Sequence, residues 1–157
     1  MIAGAGIPSL KLETSPLKLN SVISRLYDLN TGIIGVGGDR HERPHKPLLL
    51  LAVLDLLNEG KATADRIPWC QALRERFTAR FLLVRRHDDQ NNPDLPFRYL
   101  AGDGFWQVFE GDINTPINRE IRVADFGRIF ARFTDGFELL VAIPANRQLM
   151  REALIAR

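Results

Sequence analysis

The stretch HERPHKPLLLLAVLDLLNEGK occupies His41–Lys61, and its reading decides the fold. From Pro47 to Leu54 every residue is apolar. A segment apolar on all sides predicts a helix in the centre of a core, not on its surface. Pro47 suits the first helical position, where its missing N–H has no partner to lose. Gly60 suits the C-terminal stop, so the expected helix runs from Pro47 to about Glu59. In front of it stand Arg40, His41, Arg43, His45 and Lys46. A helix N-terminus already carries unsatisfied N–H groups and the positive end of the dipole, so cations there are unfavourable for the helix itself. They make sense if an external anion is shared among them. The competing reading gives His45 a hydrogen bond within the core and lets Lys46 lay its stem along the apolar surface.

Working outward, Ser15-Pro16 caps a first helix over Pro16–Leu29, with Leu19, Val22, Ile23 and Leu26 on one face. Residues 1–14 are expected to be a loose leader. NTGIIGVGGDR (Asn30–Arg40) is a Gly-rich linker with no GK[ST] to make it a P-loop. ADRIPW (Ala64–Trp69) is a short extended piece. A third helix, Trp69–Val84, aligns Trp69, Leu73, Phe77, Phe81 and Val84. His87–Pro96 reads as a polar loop. Phe97–Ala101 and Phe105–Phe109 read as strands joined by a Gly102-Asp103-Gly104 turn. Helix is expected over Val123–Arg132, near Glu138–Ala142 and again from Pro144. The expectation is one α+β domain over residues 1–157, helix-rich and winged helix-turn-helix-like, with a small antiparallel hairpin sheet.

Composition bounds the rest. The 157 residues are 45% apolar, enough for a real core and too many for disorder. No segment has the roughly 18 apolar residues of a membrane span, and Met1–Thr14 is not a signal peptide, so a cytoplasmic location is expected. The lone Cys70 excludes an internal disulfide and a cysteine zinc site. The formal net charge is only +2. Residues 40–46 carry a net +2 and residues 74–86 a net +4, leaving −4 for the remainder. Two basic segments on an otherwise acidic chain suit an anionic partner, although a solvated helix face with spare arginines gives the same count.

No catalytic set emerges. His41 and His45 are four apart, but Pro44 and Pro47 remove the helix that would align them on a metal. Cys70 beside Trp69 reads as a small buried residue. Asp88, Asp89 and Asp94 lack a calcium-loop spacing. No metal and no cofactor is expected.

RPHKPLLLLAVLDLL (Arg43–Leu57), followed by DLPFRYLAGDGFWQV (Asp94–Val108), resembles the sulfur-binding domain of McrA-like, phosphorothioate-dependent (type IV) restriction endonucleases. The resemblance covers roughly Arg40–Val108. It rests on an H-[KR]-P-L-L-L-L opening and a PF-x-x-L-x-x-DG-x-W pattern. It implies a winged-helix DNA-binding module in which a shallow apolar pocket receives the sulfur of a modified phosphate. The nuclease of that family lies in a separate HNH domain, so this chain is expected to bind and not to cut. The matching positions are His45 and Lys46, then Leu95, Pro96 and Tyr99. Leu95 and Tyr99 depart from the family pattern, where a tyrosine and a smaller residue stand.

The physics is consistent. Phosphorothioate sulfur is larger, softer and a poorer hydrogen-bond acceptor than oxygen, so an apolar wall desolvates it cheaply. Stripping water from a phosphate oxygen without replacement costs about 1–3 kcal/mol. Cations supply the affinity any phosphodiester needs. Sequence context requires contacts to base edges. Candidates for backbone or base contact are Arg40, Arg43, Asp89, Gln90, Asn91, Asn118, Arg119 and Arg122, with Asp88 in the same polar loop. The expected partner is double-stranded DNA with a phosphorothioate linkage. The sequence leaves open whether the chain acts as a monomer or a homodimer. Two other readings remain: a winged-helix regulator indifferent to sulfur, and a self-contained metal-dependent nuclease.

Overall fold

A computed structural model describes residues 16–34, 37–86, 89–111 and 115–156. The expected leader, residues 1–14, lies outside them, as do Asp88 and His87. In chain order the elements are α1 (Pro16–Tyr27), β1 (Ile33–Ile34), β2 (His41–Glu42), α2 (His45–Asn58), β3 (Ile67–Pro68), α3 (Gln71–Val84), α4 (Asp94–Tyr99), β4 (Trp106–Glu110), β5 (Ile129–Phe133), α5 (Phe137–Val141) and α6 (Pro144–Ala156). Short 3₁₀ turns cover Gly37–Asp39, Leu100–Asp103 and Val123–Asp125. The fold is α+β and helix-rich, with a three-stranded antiparallel sheet ordered β3-β5-β4 and a separate β1-β2 pair. Helix, strand, helix, short helix and hairpin, with that strand order, is compatible with a winged helix.

Helix α2 is the hub, as its composition demands. Residues Pro47–Leu54 and Leu56 are all buried, and α3, α4 and α6 pack around it. Gly60 follows the helix with φ +73°, a left-handed stop that lacks a Cβ to strain. On α3 the inward stripe is Leu73, Phe77 and Phe81, while Val84 is exposed. Trp69 precedes that helix and is buried at the end of β3, where its Nε1–H donates to the Arg122 carbonyl at 2.9 Å.

Two expected elements differ. The segment Phe97–Ala101 is helix α4 running into the 3₁₀ turn, not a strand. Phe97 and Leu100 are both buried, and their spacing of three is the helical period. The aromatic richness of the segment suggested a strand, but tertiary burial of that i, i+3 pair prevails. Pro96 is harmless there, because the first turn of a helix has no intrahelical partner for its nitrogen. The Trp106 indole locks the arrangement by donating to the Phe97 carbonyl at 2.7 Å in the core. The second difference is Val123–Arg132, expected helical. It is a 3₁₀ turn followed by β5, in which Ile129, Ala131 and Phe133 are buried in strict alternation. The hairpin is therefore β4 with β5, in register from Trp106 opposite Phe133 to Glu110 opposite Ile129. Gly102–Gly104 ends the 3₁₀ turn instead of joining strands.

Candidate nucleic-acid interface

Helix α2 begins at His45, two residues before the expected start, with Pro44 in the N-cap position and no side-chain cap. Pro47 is then the third helical residue, still within the turn whose N–H groups have no intrahelical partner. His45 and Lys46 therefore belong to the first turn of the helix instead of standing before it. The His45 ring is only 5% exposed and packs against Phe77 and Phe81, with centroids at 6.1 and 5.4 Å. Its Nε2–H donates to the Gln90 carbonyl at 2.6 Å. Its Nδ1 is buried and has no hydrogen-bond partner.

Lys46 is not the free cation the sequence suggested. Its Nζ donates to the Asn30 carbonyl and to Asp103 Oδ2, both at 2.6 Å. The other Asp103 oxygen accepts the Asn30 N–H at 2.9 Å. Both ion-pair side chains are largely buried, 12% and 8% exposed. The carboxylate supplies the counter-charge that an ammonium at the positive end of a helix requires. Two of the three ammonium donors are spent, and one remains.

The segment 89–92 is clamped onto this turn. Asp89 is 4% exposed and accepts from His41 Nε2 and from the Arg86 N–H, both at 2.8 Å. Burial pushes its carboxyl upward, but the Arg86 and His41 hydrogen bonds outweigh that and hold it below its usual range. The Gln90 carbonyl also accepts the Asn92 N–H at 3.0 Å. Asn91 Nδ2 donates to the Thr78 hydroxyl at 3.2 Å. Asp89 and Asn91, expected to reach base edges, are thus occupied in holding the loop, whereas Gln90 is exposed.

The clamp sets α4 against the N-terminus of α2, and a cavity of about 550 Å³ opens between them. All five positions singled out by the resemblance, His45, Lys46, Leu95, Pro96 and Tyr99, line it, together with Arg43 and Asn92. Pro96 is buried, while Leu95 and Tyr99 are 37% and 50% exposed. Arg43 is exposed, and its guanidinium is paired with none of the described residues. The remaining wall comes from Asn30–Gly32 and Gly102. Sequence reasoning missed Asn30, Asn92 and Asp103. Asp103 sat inside Gly-Asp-Gly and looked like a turn, and its partner Lys46 is 57 positions away.

The other candidates do not line this cavity. Arg98, beside Tyr99, donates to Asn118 Oδ1 at 2.9 Å and lies over the Tyr99 ring at 5.0 Å. Arg119 is engaged by Glu110 at 2.8 Å and Asp125 at 3.4 Å. Arg122 is 72% exposed, with only a 3.3 Å contact to Glu120. Arg40 lies across Arg43 on a second cavity of about 580 Å³, whose apolar wall includes Leu48, Leu51 and Leu83. The two cavities differ in their polar atoms. Among the described residues, buried side-chain atoms without partners are His45 Nδ1, Asn92 Oδ1 and Glu138 Oε1. The first two belong to residues lining the α2–α4 cavity, and none belongs to the second. Native interiors satisfy most buried polar groups, so each exception calls for an explanation, an ordered water or a bound ligand among them.

No group of three or more His, Cys, Asp or Glu among the described residues is placed to hold a metal. Cys70 is half-buried at the N-cap of α3. No described helix is long and apolar enough to cross a membrane. No protein-family model matches the chain, and no curated protein matches it.

Proposed function

We propose that this chain is a DNA-binding domain that recognises a phosphorothioate linkage, the targeting module of a modification-dependent restriction endonuclease whose catalytic HNH domain is separate. The observation that carries the reading is the single cavity in which Leu95 and Pro96 meet Arg43, His45 and Lys46. An apolar wall beside positive charge is what a sulfur-bearing diester needs. Leu95 and Pro96 take the sulfur, and Arg43 with the remaining Lys46 donor takes a non-bridging oxygen. The reading is supported by the order of α4, β4 and β5, which is compatible with a recognition helix followed by a wing, and by Arg122, 72% exposed in the β4–β5 connection. A winged-helix protein indifferent to sulfur shares the element order but leaves the apolar wall without a purpose.

The test compares a duplex pool bearing one phosphorothioate linkage, in each configuration at phosphorus and with randomised flanks, with the same pool unmodified. The expected result is a preference of roughly fivefold to 150-fold for one stereoisomer, from the ~1–3 kcal/mol cost of burying oxygen without a partner. The preference should persist at raised salt, because the apolar term is not screened. Leu95→Asn should abolish the preference and leave weak, salt-sensitive binding to the unmodified pool. Equal binding of all pools defeats the sulfur reading in favour of an ordinary winged-helix protein. Nicking of the modified pool with Mg²⁺, lost in His41→Ala, defeats the binding-module reading.

A further inference from the structure

Resting on that reading of the cavity, we infer that ligand binding is coupled to uptake of one proton by His45. The tautomer follows from the geometry. A carbonyl oxygen only accepts, so the 2.6 Å bond to Gln90 requires the hydrogen on Nε2. In the neutral ring Nδ1 is then a bare lone pair, and this is the buried nitrogen that has no partner. A lone pair repels an anion. Only the imidazolium, with a second N–H at Nδ1, can donate to a phosphate oxygen or sulfur while keeping the Gln90 bond. Without a ligand that second N–H would be buried with no acceptor among the described residues. With an anion in the cavity it gains an acceptor and an opposite charge. The proton comes from the solvent, and no other bond changes.

The charges around the ring fit this. Lys46 is already balanced by Asp103, which leaves Arg43 as the unbalanced cation lining the cavity. Asp89 lies close enough to His45 to feel its charge, but is hydrogen-bonded to His41. Tyr99 lines the cavity, and α3 packs Phe77 and Phe81 against the ring. His45 is therefore the group able to supply a further positive charge to the cavity near neutral pH. Asn92 takes part through its amide. Its Oδ1 is the other buried, unpartnered atom on a residue that lines the cavity, and turning the amide over offers the same ligand an NH2 donor.

The experiment measures binding of the stereopure phosphorothioate pool by calorimetry from pH 5.5 to 8.5, in two buffers of different ionisation enthalpy. The ¹⁵N shifts of the histidines are followed in parallel. The expected result is an affinity that falls up to about tenfold per pH unit above the imidazole titration, the slope of one linked proton. The calorimetry should show up to one proton taken up, and the His45 nitrogens should change from the Nε2–H tautomer to the imidazolium on binding. His45→Gln keeps a donor for Gln90 and should bind with no proton uptake. His41→Asn should retain the uptake, since the His41–Asp89 pair is not its source. If the pool binds tightly with no uptake, or with uptake unchanged in His45→Gln, the inference is wrong while the functional reading stands. If no pool binds at any pH, the functional reading itself fails.

Discussion

Helix α2 carries a polar cluster near each end, and the two are built on opposite principles. Near its C-terminal end, Asp55 accepts from Arg80 Nε and Nη2, each at 3.0 Å, and from Arg151 Nη2 at 2.9 Å. Three helices, α2, α3 and α6, are tied at one carboxylate. At the N-terminal end, His45 and Lys46 are just as well sheltered, yet His45 Nδ1 and the neighbouring Asn92 Oδ1 are left unpaired. The first cluster is complete without anything from outside. The second is incomplete, and it borders a cavity with an apolar wall. The difference teaches that satisfaction of hydrogen bonds, more than charge or burial, separates the structural ion cluster of this chain from its proposed binding site.

The largest effect should come from breaking the complete cluster. Asp55→Ala leaves two sheltered arginines without their shared acceptor and should cost about 2–4 kcal/mol of stability by urea denaturation. Its affinity for the phosphorothioate pool, measured where the variant is folded, should stay within about twofold of wild type. A large loss of affinity in a folded Asp55→Ala protein would erase the distinction between the two ends.

The next effect acts on the incomplete cluster. Lys46→Ala removes the ammonium and leaves the Asp103 carboxylate beside the incoming anion, so binding should weaken by about 1–3 kcal/mol. Adding Asp103→Asn should recover part of that loss, because the carboxylate is gone as well. The recovery measures the coupling between the two residues directly. Additive losses would mean that Asp103 does not set the charge of the site.

The smallest effect is a pH dependence of stability. The Asp55 carboxyl is pushed upward by burial, but Arg80 and Arg151 hold it below its usual 3.8 overall, and Asp89 is likewise lowered. A carboxylate with a lowered value in the folded state contributes stability that is fully present above the unfolded value. That stability is lost as pH falls through the folded value. Urea midpoints should therefore be flat in this respect above about pH 4 and drop below it. In Asp55→Asn the drop should be shallower, since one of the four lowered carboxyls, Asp55, Glu59, Asp89 and Asp125, is absent. An identical acid profile in that variant would show that Asp55 is not paired in solution.

Much of this was legible in the chain. The apolar run from Leu48 to Leu54 is buried as its composition requires, and the i, i+4 spacing of Leu73, Phe77 and Phe81 forms the inner stripe of α3. The strand around Phe105–Phe109 and the helix from Pro144 also match their expectations closely. Phe97–Ala101 did not, because a five-residue segment with Phe97, Tyr99 and Leu100 fits either period and only burial decides between them. The five motif residues do share a cavity, but the sequence did not show that Asp89 and Asn91 hydrogen-bond within the protein. A polar loop residue looks the same in sequence whether it faces a groove or clamps the loop.

By itself, then, the sequence determined which helix is central, which residues are apolar enough to form the core, and which side chains are candidates for an anion. These properties are local, since they depend on residue type and on spacing within a few turns. Only the tertiary structure decided that Lys46 is neutralised by Asp103, that His41 is held by Asp89, and that the Gln90 carbonyl fixes the His45 hydrogen on Nε2. Those pairings join residues 57, 48 and 45 positions apart. Partners so distant are chosen by how the elements pack, and no period or propensity along the chain encodes them.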